Sequence, residues 1–171
     1  GTRVLVYGAS GAIGSAAVQL ARHLGAEVTA FAGARNLDLM QSLGATHVFD
    51  YALDDPANTG EPYDVVFDAV GKLSFLHMRR AMTARGAFGS AGGLLNFAMV
   101  PLTARSSGRR VLFAVPAFGQ PNVRLLAEIM ESGAFRPVID RVHPLDEIVD
   151  AARYVETERK TGNVVLTVLD R

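Results

Sequence analysis

The chain contains no cysteine. Disulfides are therefore excluded, and so is any zinc site built on thiolates. It carries no excess charge, because 17 Lys and Arg balance 17 Asp and Glu over 171 residues. That balance argues against nucleic acid or an anionic membrane surface as the main partner. No apolar run approaches the roughly 20 residues of a membrane-spanning helix. The first such run, Val4 to Tyr7, is short and meets glycines at once. No signal peptide is expected, and the cytoplasm is the expected location. The four histidines, His23, His47, His77 and His143, are scattered without ligand spacing, so no metal site is expected. No GxSxG elbow is present to carry a Ser–His–Asp nucleophile.

What is present begins at Val4-Leu5-Val6-Tyr7-Gly8-Ala9-Ser10-Gly11-Ala12-Ile13-Gly14. This reads as a buried strand turning through glycines directly into a helix. Such a turn leaves the first helical N–H groups unpaired at the positive end of the helix dipole, which is a cradle for pyrophosphate. The glycines make the turn, admit phosphate close to the backbone and let the helix pack on the sheet. The GxGxxG pattern is not met in full, because Ala9 stands in its first glycine place, with Gly8 just before. An ordinary glycine turn is the alternative. Context supports the cradle, since the motif follows a strand and opens a helix within a βαβ unit of about 30 residues. Because it stands at the start of the chain, a segment that normally precedes such a unit is expected to be missing.

With 49% hydrophobic residues the chain can bury a sizeable core, as one domain or one domain plus a tail. Short apolar runs alternate with helical patterns, the signal of a parallel sheet with crossover helices. Strands are predicted at Val4–Tyr7, Val28–Phe31, His47–Asp50, Asp64–Asp68, Ala87–Ser90 and Val111–Val115. The first helix should bury Ile13, Ala16, Ala17, Leu20, Ala21 and Leu24, with Gly25 as its stop. Asn36 should cap a helix running to Leu43. Further helices are expected from about Leu73 to Met82 and from about Pro121 to Ser132. The expected fold is α/β, a doubly wound parallel six-stranded sheet of order 3-2-1-4-5-6. Ligands in such sheets bind beyond the carboxyl ends of the strands where the order reverses. The segments facing that crevice are the Gly8–Gly14 turn, Gly33 to Arg35, Asp68 to Gly71 and Ala91 to Gly93.

Cofactor choice follows from the end of the second strand. NAD-binding versions place an acid there to accept from the adenosine ribose hydroxyls. Here the residues are Ala32-Gly33-Ala34-Arg35-Asn36. Glycine leaves room for a 2′-phosphate and Arg35 can pair with it, so NADP(H) is expected over NAD(H). A solvated surface arginine is the alternative.

These residues, together with Leu43-Gly44-Ala45-Thr46-His47-Val48-Phe49-Asp50-Tyr51, Asp68-Ala69-Val70-Gly71, Glu131-Ser132-Gly133, Arg136-Pro137-Val138-Ile139-Asp140 and Gly162-Asn163-Val164-Val165-Leu166, resemble the medium-chain dehydrogenase/reductase superfamily. The nearest branch is the zinc-independent quinone oxidoreductase-like enzymes. The resemblance implies that Ser10, Gly11, Ala12 and Ile13 hold the pyrophosphate, largely through backbone N–H groups. It implies that Gly33, Arg35 and Tyr51 form the 2′-phosphate pocket. It implies that Asp68, Ala69, Val70 and Gly71 line the ribose and nicotinamide side, and that Phe113 and Val115 hold the carboxamide. Tyr51 could equally be structural, and Asp68 could simply cap the next helix. Asn163 departs from the lysine often found in the family.

The resemblance divides the chain into a dinucleotide-binding domain at 1–135 and a tail at 136–171 that packs on a preceding barrel-like substrate domain. The tail shows Leu145, Ile148, Val149, Ala152 and Val155 on one face, and Leu94 to Val100 is a second apolar segment in need of cover. A bare sixth strand is a poor sheet edge, so a homodimer through it is expected. The expected activity is hydride transfer between NADPH and a small-molecule substrate, a quinone, enone or related carbonyl compound, with no catalytic side chain evident in this chain. One alternative is a non-enzymatic NADPH sensor or scaffold. Another is an extended short-chain dehydrogenase. The latter needs Tyr-x-x-x-Lys, whereas Tyr7, Tyr51, Tyr63 and Tyr154 meet Gly11, Asp55, Phe67 and Glu158 four residues on.

Overall fold

The computed structural model describes residues 1–105, 107–113 and 119–168. Its main sheet is built from β1 (Arg3–Tyr7), β2 (Glu27–Ala32), β3 (His47–Asp50), β4 (Tyr63–Asp68), β5 (Met82–Ser90) and β6 (Arg110–Leu112). The six strands are parallel, in the order β3-β2-β1-β4-β5-β6. This is the doubly wound order expected from the sequence. Tyr7 lies in register with Phe31 on one side and Asp68 on the other, so the order reverses where β1 and β4 end.

Successive residues of a strand face opposite sides, and each side has its own apolar core. Val4, Val6, Val28 and Ala30 pack with Val18 of α1 (Ala12–His23) and Met40 of α2 (Leu37–Ser42). Leu5, Phe31, Val66, Phe88 and Val111 pack with Phe75 and Met78 of α3 (Phe75–Met78) and with Met99 and Val100 of α4 (Leu94–Ala104). After β6 come α5 (Gln120–Glu131), β7 (Ile139–Pro144), α6 (Ile148–Glu156) and β8 (Asn163–Thr167). β7 and β8 form a separate two-stranded parallel sheet.

Several local expectations are corrected. The buried positions of α1 are Gly14, Ser15, Val18 and Gln19, whereas Ile13 is 55% and Leu24 82% exposed. Asn36 does not cap α2 with its side chain; it is buried, and its Oδ1 accepts from Thr161 Oγ1 at 3.1 Å. The helix expected from Leu73 to Met82 shrinks to α3 and a 3-10 turn at Arg79–Ala81. Tertiary hydrogen bonds set both limits. The Leu73 and Phe75 N–H groups are bound by Asp68 and Asn96, and the Met82 carbonyl accepts from Arg109, so Met82 joins β5. α4 forms in a segment for which no helix was expected. The sixth strand begins at Arg110; Ala114 and Val115 lie outside the described residues. In the tail, Ala151 is buried while Leu145, Ile148, Val149 and Val155 remain exposed.

Candidate functional site

The Gly8–Gly14 turn joins β1 to α1 with Gly8 at φ 73°, a left-handed conformation that costs glycine nothing. Gly14 is fixed by contact. A Cβ there would stand 2.2 Å from the Gly8 carbonyl oxygen and 2.6 Å from Ala9 Cα, so helix and turn touch backbone to backbone. Gly11 occupies the N-cap, where no side chain caps the helix and no acid stands in the first turn. Ser15 donates to the Gly11 carbonyl, but the N–H groups of Ala12, Ile13 and Gly14 meet no acceptor among the described residues. Unpaired donors at a helix N-terminus attract anions.

This turn borders a cavity of about 530 Å3, lined among others by Tyr7, Gly8, Ser10, Gly11, Val70 and Lys72. A second cavity of about 500 Å3 is lined by Ser10, Gly33, Arg35 and Tyr51, among others. The short turn after β2, Ala34–Asn36, places Arg35 at its wall. Arg35 Nη2 donates to the Arg159 carbonyl, so the guanidinium is held by the tail. Tyr51 lines both cavities. Tyr7, half-buried beside them, has its phenol pushed above the usual range by burial first and by the nearby Asp68 carboxylate second.

Asp68 is wholly buried and does not face the cavities. Its Oδ1 accepts from the Val70 and Gly71 N–H groups at 3.1 and 2.9 Å. Its Oδ2 accepts from Leu73 N–H at 2.8 Å and lies 3.1 Å from Ser90 Oγ. The carboxylate thus folds the loop that carries Val70 and Lys72 to the cavity. Ala69 is tied to β1 by its N–H donating to the Tyr7 carbonyl. Ala12 and Ile13 border an adjoining groove with Asn163. Phe113 does not line these cavities; its ring packs on Phe97 at 4.2 Å between centroids. Val115 lies outside the described residues.

Sequence reasoning missed Tyr7, Lys72, Val155, Glu158, Arg159 and Lys160, all of which line the cavities. Tyr7 and Lys72 directly flank recognised turns and were within reach. The tail residues were not. They arrive because the Gly162 N–H donates to the Ser10 carbonyl at 2.7 Å and Gly162 bridges to Gly11. Lys160 is then fixed by its Nζ donating to the Gly162 carbonyl at 2.6 Å. Asp140 supports this segment by accepting from Tyr154 OH at 2.6 Å and Thr161 N–H at 3.2 Å. The tyrosine bond is the main reason its carboxyl is held below the usual range.

A six-stranded doubly wound sheet with a glycine turn at its switch point defines a dinucleotide-binding fold of the dehydrogenase type. The family model for zinc-binding dehydrogenases matches residues 43–166. The chain belongs to that family, within the medium-chain dehydrogenase/reductase superfamily. It is 34% identical over 97% of its length to a 2-methylene-furan-3-one reductase from Solanum lycopersicum, covering 40% of that protein. It is 32% identical over 97% of its length to a chloroplastic NADPH-dependent alkenal/one oxidoreductase from Arabidopsis thaliana, again covering 40% of the relative. Among solved structures, the quinone oxidoreductase from Coxiella burnetii superposes with a TM-score of 0.88 at 25% identity, over 99% of this chain and 53% of that one. The chain spans about half the length, or less, of these relatives.

The family name carries zinc, and the residues here do not fit it. The sequence has no cysteine, and among the described residues no three His, Asp or Glu cluster. His47 is paired with Glu27, His77 with Asp55 and His143 with Glu147. Among the described residues no helix is long and apolar enough to cross a membrane.

Proposed function

We propose that this chain is the cofactor-binding part of an NADP(H)-dependent oxidoreductase acting on a quinone, enone or related carbonyl substrate. The observation that carries the reading is the unpaired start of α1. Three N–H groups without acceptors follow directly on Ser10 and Gly11, which border cavities also lined by Arg35, Lys72 and Lys160. Ser10 to Ile13 would hold the pyrophosphate through main-chain N–H groups. Gly33 and Arg35, with Tyr51 beside them and Lys160 added by the tail, would hold the adenosine 2′-phosphate. Val70 and Gly71 would border the ribose and nicotinamide. When bound, the cofactor supplies the hydride chemistry. The chain's own residues orient it and neutralise its phosphates. Relatives named as an NADPH-dependent alkenal/one oxidoreductase and a quinone oxidoreductase support the substrate class.

The assignment of 1–135 to the dinucleotide domain and 136–171 to a tail that meets a substrate domain belongs to the same reading. The exposed Leu145, Ile148 and Val149 support it. We also infer a cytoplasmic homodimer paired through the β6 edge, where Leu112, Phe113 and Phe97 are exposed. Light scattering giving a monomer mass at micromolar concentration rejects the dimer, and cell fractionation tests the location.

The reading as a whole is tested by titrating NADPH into the protein by calorimetry, followed by NADPH consumption with simple quinones. Binding is expected. Absence of heat at millimolar NADPH, with an unchanged melting temperature, refutes the reading. Binding without turnover in the presence of a complementing substrate domain favours a sensor or scaffold instead.

A further inference from the structure

The tail brings one acid into a crevice that otherwise gathers cations. Glu158 lines both cavities, alongside Lys160 in each, Lys72 in one, and Arg35 and Arg159 in the other. β2 ends without an acid, and among the described residues Glu158 is the one carboxylate lining the Gly33–Arg35–Tyr51 cavity. Its Oε2 stands 3.5 Å from Lys72 Nζ. Among the described residues it is also the non-glycine residue with a positive φ, 56°. A glutamate in the left-handed region is strained, and strained residues persist where the surrounding structure fixes them. Here the Glu158 N–H donates to the Val155 carbonyl at the end of α6, and the next carbonyl along, that of Arg159, holds Arg35.

We propose that Glu158 tempers the NADP(H) preference of this crevice by opposing the 2′-phosphorylated dinucleotide that Arg35 attracts, relative to its unphosphorylated counterpart. This rests on the dinucleotide reading of the site. Glu158 shares the cavity wall with Gly33 and Arg35, and its negative charge repels a dianionic 2′-phosphate bound there while leaving a neutral 2′-hydroxyl unopposed. Lys72 does not cancel it. Both side chains are largely exposed, 65% for Lys72 and 79% for Glu158, and ion pairs of that kind are weak. Glu158 therefore adds, from the far end of the chain, a carboxylate of the kind that NAD-binding folds carry at the end of the second strand, here set against an arginine. Arg35 attracts the phosphate, Glu158 opposes it, and the preference is their difference.

The test is titration of NADPH and NADH into wild type, Glu158→Gln, Glu158→Asn and Lys72→Met at constant salt. Both Glu158 variants should tighten NADPH about 3- to 10-fold, the size expected for removing one partly screened unit charge. NADH should change by less than about twofold or weaken. Lys72→Met should weaken NADPH. Glu158→Asn suits the left-handed backbone better, so its melting temperature should equal or exceed that of wild type. An unchanged NADPH-to-NADH ratio in both Glu158 variants, with wild type still binding NADPH, overturns this inference and leaves the cofactor reading standing. Wild type that binds neither nucleotide overturns both.

Discussion

Replacing Asp68 should damage the fold before it damages chemistry. The carboxylate is wholly buried and holds three backbone N–H groups, those of Val70, Gly71 and Leu73, as well as the Ser90 hydroxyl. Asp68→Ala leaves those donors facing a small apolar side chain. Each buried unpaired donor costs about 1–3 kcal/mol, though water entering the gap recovers part of it. A net loss of about 3–5 kcal/mol is expected for three unpaired N–H groups after that recovery. At about 2–4 °C per kcal/mol for a chain of this size, the melting temperature should fall by roughly 6–20 °C. Asp68→Asn should be milder, at about 1–3 kcal/mol, because the amide oxygen still accepts from two N–H groups. Its NH2 then faces the Leu73 N–H, donor against donor, while the Ser90 hydroxyl can turn to accept. Urea unfolding followed by far-UV circular dichroism measures both. If Asp68→Ala costs less than about 1 kcal/mol, or Asn costs as much as Ala, the assignment of Asp68 as the knot of this loop is wrong.

Three further perturbations probe other links. Arg35→Ala should weaken NADPH about 10- to 100-fold, the equivalent of one charge-assisted contact of about 1.5–3 kcal/mol, and leave NADH unchanged; calorimetry reads both, and equal effects on the two cofactors reject the phosphate role. Gly14→Ala places a methyl carbon 2.2 Å from the Gly8 carbonyl oxygen, so the backbone must move. An overpacking cost of about 1–3 kcal/mol and loss of dinucleotide binding should follow, and wild-type affinity in a calorimetric titration would show that the turn tolerates widening. Asp55 is held below the usual carboxylate range, first by the Ala57 N–H, then by His77 and Arg80. A carboxyl lowered on folding stabilises above its unfolded value of about 4, and this contribution is lost as pH falls through the folded value. Asp55→Asn should therefore lower the melting temperature at pH 7 and flatten its decline in acid; parallel pH curves for the two proteins would refute this.

The strands of the main sheet and the glycine turn were legible because their signals are local, and the sheet order followed from the rules that govern crossover connections. Val4 to Tyr7 is a short apolar run closed by glycines, and Asp50 and Asp68 end strands where polar residues interrupt apolar ones. α4 was not legible, because Leu94 to Val100 is apolar with little period and Pro101 follows, so nothing marks a helical face. α3 was overextended because its limits are set by Asp68, Asn96 and Arg109, none of them within the helix. Half of the Gly33–Arg35–Tyr51 cavity was invisible for the same reason. Arg35 meets Arg159 across 124 positions, and Asn36 meets Thr161 across 125. No pattern within a helix or strand encodes a pairing of that range.

The reversal on α1 shows what hydrophobic periodicity does and does not report. The stripe at Ile13, Ala16, Ala17, Leu20, Ala21 and Leu24 is real, and the structure turns part of it toward a groove of about 410 Å3 bordered by Val4, Val6, Val65 and Phe67. Ala17 and Ala21 reach the core from there, while Ile13 and Leu24 do not. The neighbouring face carries Ser15 and Gln19, which composition would send to solvent. It is buried because each polar group finds a partner. Ser15 Oγ lies 3.3 Å from the Ala12 carbonyl oxygen. Gln19 accepts from Arg136 N–H at 2.9 Å and reaches the Arg136 carbonyl oxygen at 3.1 Å. A 3.6-residue period identifies which face of a helix is apolar. Which face is covered depends on the surface that meets it, and for Gln19 that surface lies 117 residues further along the chain.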